Sequence, residues 1–402
     1  MTTGQRIAKT VTVKKQAGLG TPASGSGGSV LSRVSSVFQS PSDTFESPVI
    51  TTHQQSTGVS FGTQKPTGKV ESLLSTETFQ ILLECLLRQD YAAVAPLAAG
   101  TDVTASATTP HFVDASAGYL AAGIKKGDVV RWTGWTGGAA ANNNKNFFIT
   151  ALTAGNMTGV FMDGSAVVAA SAGDSVTVTV QGKKTFAPAT GQTNDYITVE
   201  EWHSGLSRSE VFQDGKVGSI AVGIPGSGNA TFSADIMALL RSRTGAQVLT
   251  TPTEPTFREL SAANLFVYLV GSSVTNCTGI QFTITDSAAH GAAVVGSNSA
   301  GDISRDIIKV TGQLTAKFDG VTLQDIYDAQ APVSLFGVIA EDATPTSAFV
   351  AFSLPAVKLT GDAPDDGQEI VRTYPFVAEF AASGGASADS EQTIFSIQDS
   401  QL

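Results

Sequence analysis

Between Phe79 and Leu87, Phe79, Leu82, Leu83, Leu86 and Leu87 recur at helical spacing, while Gln80, Glu84 and Arg88 fall on the other face. The pattern predicts an amphipathic helix with Ser75 as N-cap, Glu77 in the first turn where an acid suits the helix dipole, and a Glu84–Arg88 pair on the solvent side. Ahead of it, FESPVITTHQQSTGVSFGTQKPTG, from Phe45 to Gly68, predicts two extended runs joined by a turn. Two strands and one helix cannot bury that stripe alone, so more sheet must lie beneath it.

The unit recurs. GIQFTIT from Gly279 is followed by a Gly/Ala/Ser loop and then ISRDIIKVTGQLTAKFDGVTLQDIYDAQ, with Thr311-Gly312 standing where Thr67-Gly68 stands. Leu323, Ile326 and Tyr327 repeat the apolar stripe, and Thr322 with Asp325 resembles a capping box. Three strand-like runs follow each helix: DYITVEEWHS, KVGSIAVGIP and NATFSADIMAL after the first, and VSLFGVIAED, AFVAFSLPAVKLTG and EIVRTYPFVAEF after the second. In the first of these, Ile197 and Val199 alternate with Thr198, Glu200 and Trp202, as in a half-buried strand. The expected fold is mainly β with a few helices: a duplicated β-sandwich or barrel, one amphipathic helix per repeat.

The expected divisions follow composition. Residues 1–44 read as a flexible basic arm: AGLGTPASGSGGS is too rich in Gly and Ser to hold a fold, while IAKTVTVKK alternates well enough to add to a neighbouring subunit's sheet. The first repeat takes 45–100 and 186–245, interrupted by an outward-facing β-module at 101–185 whose first hairpin holds Val129, Val130, Trp132 and Trp135 with Gly127-Asp128 as its turn. A connector at 246–262 with two prolines leads to the second repeat at 263–380, and 381–402 is a linker-like tail. The loop from Asp286 to Ser304 is too long for a tight hairpin and is expected to reach another subunit.

The order strand, strand, Thr-Gly, amphipathic helix, strands, with VEEW ahead of a Lys-Val-x-Ser strand, resembles the major tail tube proteins of long-tailed, non-contractile bacteriophages. Gly296-Ser297, Ile303-Ser304 and VTGQLTAKF from Val310 to Phe318 resemble that family's second repeat, and the resemblance spans 45–100 and 186–380. It implies a structural subunit of a virion tail, assembled in the host cytoplasm, whose rings, hexameric by resemblance, stack into a tube. Such a tube encloses the tape-measure protein, conducts genomic DNA in transit, and meets tail terminator and distal tail or baseplate proteins at its ends. The alternative is a surface β-protein that binds glycans through the inserted module, where Trp132 and Trp135 either form a sugar platform or pack the module.

Charge refines this picture. The net charge is -11, yet residues 1–42 carry Arg6, Lys9, Lys14, Lys15 and Arg33 and no acid, so the remainder is strongly acidic. A duplex presents about one negative charge per 1.7 Å and would be repelled by such a body, which suits a conduit that must not hold its cargo. Glu200, Asp235 and Asp319 are lumen candidates by strand phase. The two cysteines, Cys85 and Cys277, exclude a disulfide framework, and no stretch approaches the length of a membrane-spanning helix, so no membrane insertion is expected. The start, MTTGQRIAKTVTVKK, lacks the hydrophobic core of a signal peptide.

No catalytic, metal or cofactor site is expected. His53, His111, His203 and His290 are scattered. Gly182-Lys183 lacks the rest of a phosphate loop, and the match Gly58 to Gly62 around Ser60 lacks the strand before and helix after that a nucleophile elbow needs. Glu200 and Glu201 point to opposite faces of one strand, and Asp365 and Asp366 read as turn formers in Pro-Asp-Asp-Gly.

Overall fold

A computed structural model describes residues 5–50, 52–53, 55, 57–256 and 258–402. The chain is mainly β and largely antiparallel, with two α-helices and short 3-10 turns among the described residues. In the first half the elements are β1 (Lys9–Lys15), β2 (Ser29–Val30), β3 (Ser35–Gln39), β4 (Thr67–Leu73), α1 (Gln80–Leu87), β5 (Ile197–His203), β6 (Arg208–Pro225), β7 (Thr231–Met237) and β8 (Leu240–Thr244). The second half has β9 (Leu265–Leu269), β10 (Ser272–Ser273), β11 (Cys277–Thr285), β12 (Lys309–Lys317), α2 (Thr322–Ala329), β13 (Val333–Ala340), β14 (Phe349–Leu359), β15 (Ala363–Asp366), β16 (Ile370–Ala378) and β17 (Ser396–Asp399).

The two halves pair their strands in the same order. β1 joins β2 and β5, β5 joins β6, β6 joins β8 and β7, β7 joins β4, and β4 joins β3. Likewise β9 joins β10 and β13, β13 joins β14, β14 joins β17 and β16, β16 joins β12, and β12 joins β11. Registers agree as well. Val199 faces Phe212 and Ile197 faces Gly215 across a one-residue irregularity, as Leu335 faces Leu354 and Val333 faces Val357 across the same irregularity. Phe38 pairs with Gly68 as Phe282 pairs with Gly312.

β6 is long because it serves two sheets. Its first part lies between β5 and β8, its last part between β7 and β11. At the crossing Asp214 adopts φ 54 and Gly215 sits where an added Cβ would meet the Ile197 carbonyl at 3.0 Å, so a side chain there would push the two strands apart. The pairing of β6 with β11, from Ser219↔Thr285 to Pro225↔Gly279, fuses the halves into one core.

Several expectations are corrected. The N-terminal segment is not a loose arm on this chain: β1 pairs along its whole length with β5, and Val11 and Val13 are fully buried. That packing explains a second correction. β1 brings Lys15 over α1, so Glu84 is buried rather than wet, bonding Lys15 at 2.8 Å and accepting from Gln80 Nε2 and the Tyr91 N–H. Arg88 closes the helix in the left-handed region instead of pairing with Glu84. The helix starts later than expected, after Phe79, and Ser75 bonds the Thr78 hydroxyl. Thr322 does not cap α2, which buries no residue fully. Strand β5 is buried on both faces, Glu200 and Glu201 included. The expected C-terminal linker is structured too, because β17 pairs with β14 and with the strand Lys183–Phe186.

Residues 97–180 form a separate seven-stranded sheet with its own core around Phe112, Trp132 and Phe147. The expected first hairpin is absent: Val129–Thr133 pairs with Phe147–Leu152 and Val176–Val180. Although inserted in the first half, this module packs on the second, placing Val129 and Phe148 against Tyr268, Phe336 and Phe349. The run from Phe45 to Gly68 also divides differently. Ser42–Glu46 and Val59–Gln64 form a detached hairpin, and only β4 enters the main sheet.

Candidate functional site

Read across its pairings, the sheet that fuses the halves runs β3-β4-β7-β6-β11-β12-β16, with the end of β14 and β15 on the far side of β16. Side-chain alternation gives it two unlike faces. One row reads Val70, Ala234, Ile220, Ile284 and Val310, all buried. The neighbouring row on the opposite face reads Glu71, Ser233, Ala221, Thr283 and Thr311, all partly or fully exposed. Gly223, Gln281, Gln313 and Pro375 continue that face, which carries no aromatic side chain over these rows.

The face is close to neutral. Lys69, Lys309 and Lys317 stand against Glu71, Asp235 and Asp365 on the same alternation. Lys69 and Glu71 bond at 2.9 Å, and the ammonium holds the Glu71 carboxyl below its ordinary range. Of the expected lumen residues, Asp235 lies here, bonded to Ser219 Oγ. Asp319 lies instead in an exposed loop beside Asn276. Glu200 is fully buried in the other sheet, accepting the Val248 and Leu249 N–H groups at 2.7 Å and the Ser209 hydroxyl. The acidity of the chain is therefore not concentrated on this face.

Two edges remain open among the described residues. β3 has β4 on one side only, and β15 has only β16. At these edges Ser36 Oγ and Asp362 Oδ1 are buried without a hydrogen-bond partner, as is Arg372 Nε on the neighbouring β16, although Asp362 contacts the Arg372 guanidinium and accepts from Gln324. Sequence reading missed both edges, assigning β3 to the flexible arm and β15 to a turn. The signal for β3 was Phe38 in SSVFQ, the counterpart of Phe282 in IQFT, but its neighbour Val37 breaks the alternation that marks a half-buried strand. For β15 there was none, since Pro-Asp-Asp-Gly is turn chemistry by composition.

Both long connections leave the same side of the sheet. The detached hairpin joins β3 to β4, the 286–304 loop joins β11 to β12, and Gln64 N–H donates to the Asn298 carbonyl at 2.8 Å. The base of the loop is anchored to its own chain, with Asp302 bonding Lys216 and Tyr196 and the buried Asp286 facing Arg88 and Arg305. Burial raises the Asp286 carboxyl pKa against the pull of the two guanidinium groups. The hairpin and the loop tip leave Phe45, Ile50, Phe61 and Val295 strongly exposed.

The residues weighed for chemistry do not converge. His111 accepts from the Gly159 N–H and is held below its ordinary pKa by burial, His290 contacts the Ala238 carbonyl, and His53 and His203 lie elsewhere. Ser60 lies in the detached hairpin, and the next element is the strand β4 rather than a helix. Lys183 begins the strand on β17. Among the described residues no cluster of His, Cys, Asp or Glu is placed to hold a metal. Trp132 and Trp135 are buried against Phe112 at 4.6 and 6.1 Å, so neither ring is free to stack on a sugar. No protein-family model and no curated protein matches the chain.

Proposed function

We propose that this chain is a structural subunit of a bacteriophage tail tube, built from two copies of one β-unit. The single observation that carries the reading is the fused antiparallel sheet, to which both halves contribute the same four strands in the same order, with a polar, aromatic-free face turned away from the core. Each unit supplies β3, β4, β7 and the end of β6, or β11, β12, β16 and the end of β14 with β15. An open sheet of this kind leaves two edges that association covers.

Placed toward a lumen, the face suits a polymer in transit. Bases find no aromatic platform to stack on, and phosphates find no cationic track to hold them. The resemblance implies a ring of six subunits, each taken here as one β-unit. Because each chain carries two, three chains rather than six close it. The exposed apolar hairpin and the tip of the 286–304 loop are the ring-to-ring contacts, and the module at 97–180, docked on β9, β13 and β14 of the second half, lies outside. The tube encloses a tape-measure protein and then passes DNA.

Negative-stain electron microscopy across a concentration series, with native mass spectrometry of the smallest assembly, tests this. Hollow rings or stacked tubes and a three-chain ring are expected; a monomer at every concentration overturns the reading.

A further inference from the structure

We infer that β3 of one copy pairs with β15 of a second copy, in the register already used inside the chain where β6 meets β11. This rests on the tube reading above and names the joint that closes its ring. The internal joint is the template. β11 occupies in the second half the place β3 holds in the first, and β15 with the end of β14 the place of the last part of β6. Within one chain, one such pair of edges is joined and the other pair, at opposite ends of the same sheet, is open.

The register transfers directly. Ala221 faces Thr283 and Gly223 faces Gln281 across the internal joint. Their counterparts predict Ala363 facing Gln39, and Asp365 facing Val37, of the second copy. The side chains fit a contact that must also tolerate water before assembly. The buried Ile220–Ile284 pair of the internal joint is replaced by Asp362 opposite Ser40, while Val222 opposite Phe282 becomes Pro364 opposite Phe38. Val37 is 65% exposed on the lone chain, and the unpartnered buried Ser36 Oγ and Asp362 Oδ1 lie one on each edge. A joint between two different edges is head-to-tail, so it generates a ring when the rotation closes.

Cysteine pairing reads the register, because a disulfide needs Cα atoms within about 4.4–6.8 Å. In a Cys277→Ser background, Val37→Cys and Asp365→Cys are made separately and together. Oxidising an equimolar mixture of the two single variants is expected to give a covalent dimer holding one of each, lost on reduction and absent from either variant alone. The double variant is expected to give a ladder that ends at the ring. Phe38→Cys mixed with Asp365→Cys, one residue out of register and on the other face, is expected to give none. Like-with-like dimers overturn the inference. Rings seen by microscopy without the mixed disulfide overturn it while leaving the tube reading standing. The mixed disulfide without rings supports the joint and overturns the tube, and neither disulfide nor assembly overturns both.

Discussion

Glu200 and Phe336 hold the same place in the two halves. Glu200 lies between Thr12 and Val211, Phe336 between Tyr268 and Ser353, and both are fully buried. What covers them differs. The connector lays its Val248 and Leu249 N–H groups on the carboxylate, whereas the inserted module lays Val129 and Phe148 on the ring. One backbone frame thus accepts a charge or an aromatic ring according to whether the segment above brings unsatisfied donors or apolar surface.

Substitution should separate the two halves most at these two sites. Glu200→Leu leaves the buried Leu249 N–H, the partly buried Val248 N–H and the Ser209 hydroxyl without their acceptor and should cost about 3–5 kcal/mol, whereas Phe336→Leu should cost about 1 kcal/mol. Urea unfolding of both variants checks this; equal losses would mean the connector donors find water. The closing strands differ next. Burial, opposed by the Gln401 and Glu77 N–H groups, raises the Asp399 carboxyl from 3.8 to about 6, while the matching place after β8 is the exposed Gly245. Between those values the folded chain binds more protons than the unfolded one, so this group's stabilisation is complete below about pH 4 and is lost as pH rises through 6, a change of about 3 kcal/mol. Asp399→Asn should therefore flatten the difference between urea midpoints at pH 4.5 and 7; an unchanged difference rejects the assignment.

The smallest effect separates the two Thr-Gly pairs. A Cβ on Gly312 would meet the Gln281 carbonyl and the Phe376 ring, both at 2.4 Å, whereas on Gly68 its three nearest atoms, at 2.0–2.6 Å, all belong to the ring of Phe38, on the open edge. Gly312→Ala should cost about 1–3 kcal/mol and Gly68→Ala less, because the Phe38 side chain, although packed on Phe212, can turn where the Gln281 carbonyl is fixed in the ladder. Matched thermal shifts measure it, and a larger loss at Gly68 would show that β3 is held more firmly than a free edge allows.

Much of the fold was legible. The strands after each helix, the stripe at Phe79–Leu87 and the paired Thr-Gly positions lie within single elements, where side-chain period reports local structure. The partner of the first segment was not legible, because Val11 and Val13 alternate as in any strand that can add to a sheet, and nothing local says that β5 of the same chain lies beside them. Nor was β15, whose Pro-Asp-Asp-Gly obeys turn propensity while β16 supplies the partner that makes it a strand. The two open edges of the candidate surface lay in those misread segments.

The sequence by itself determined a strand-rich chain, the alternation that separates an apolar from a polar sheet face, and the recurrence of one pattern, since each depends on residues close in the chain. Only the tertiary structure decided that Lys15 buries Glu84, that a module inserted in one half covers the other, and that β6 joins β11. Those outcomes depend on which distant segments supply donors, apolar surface or a free edge, and no local period carries that information.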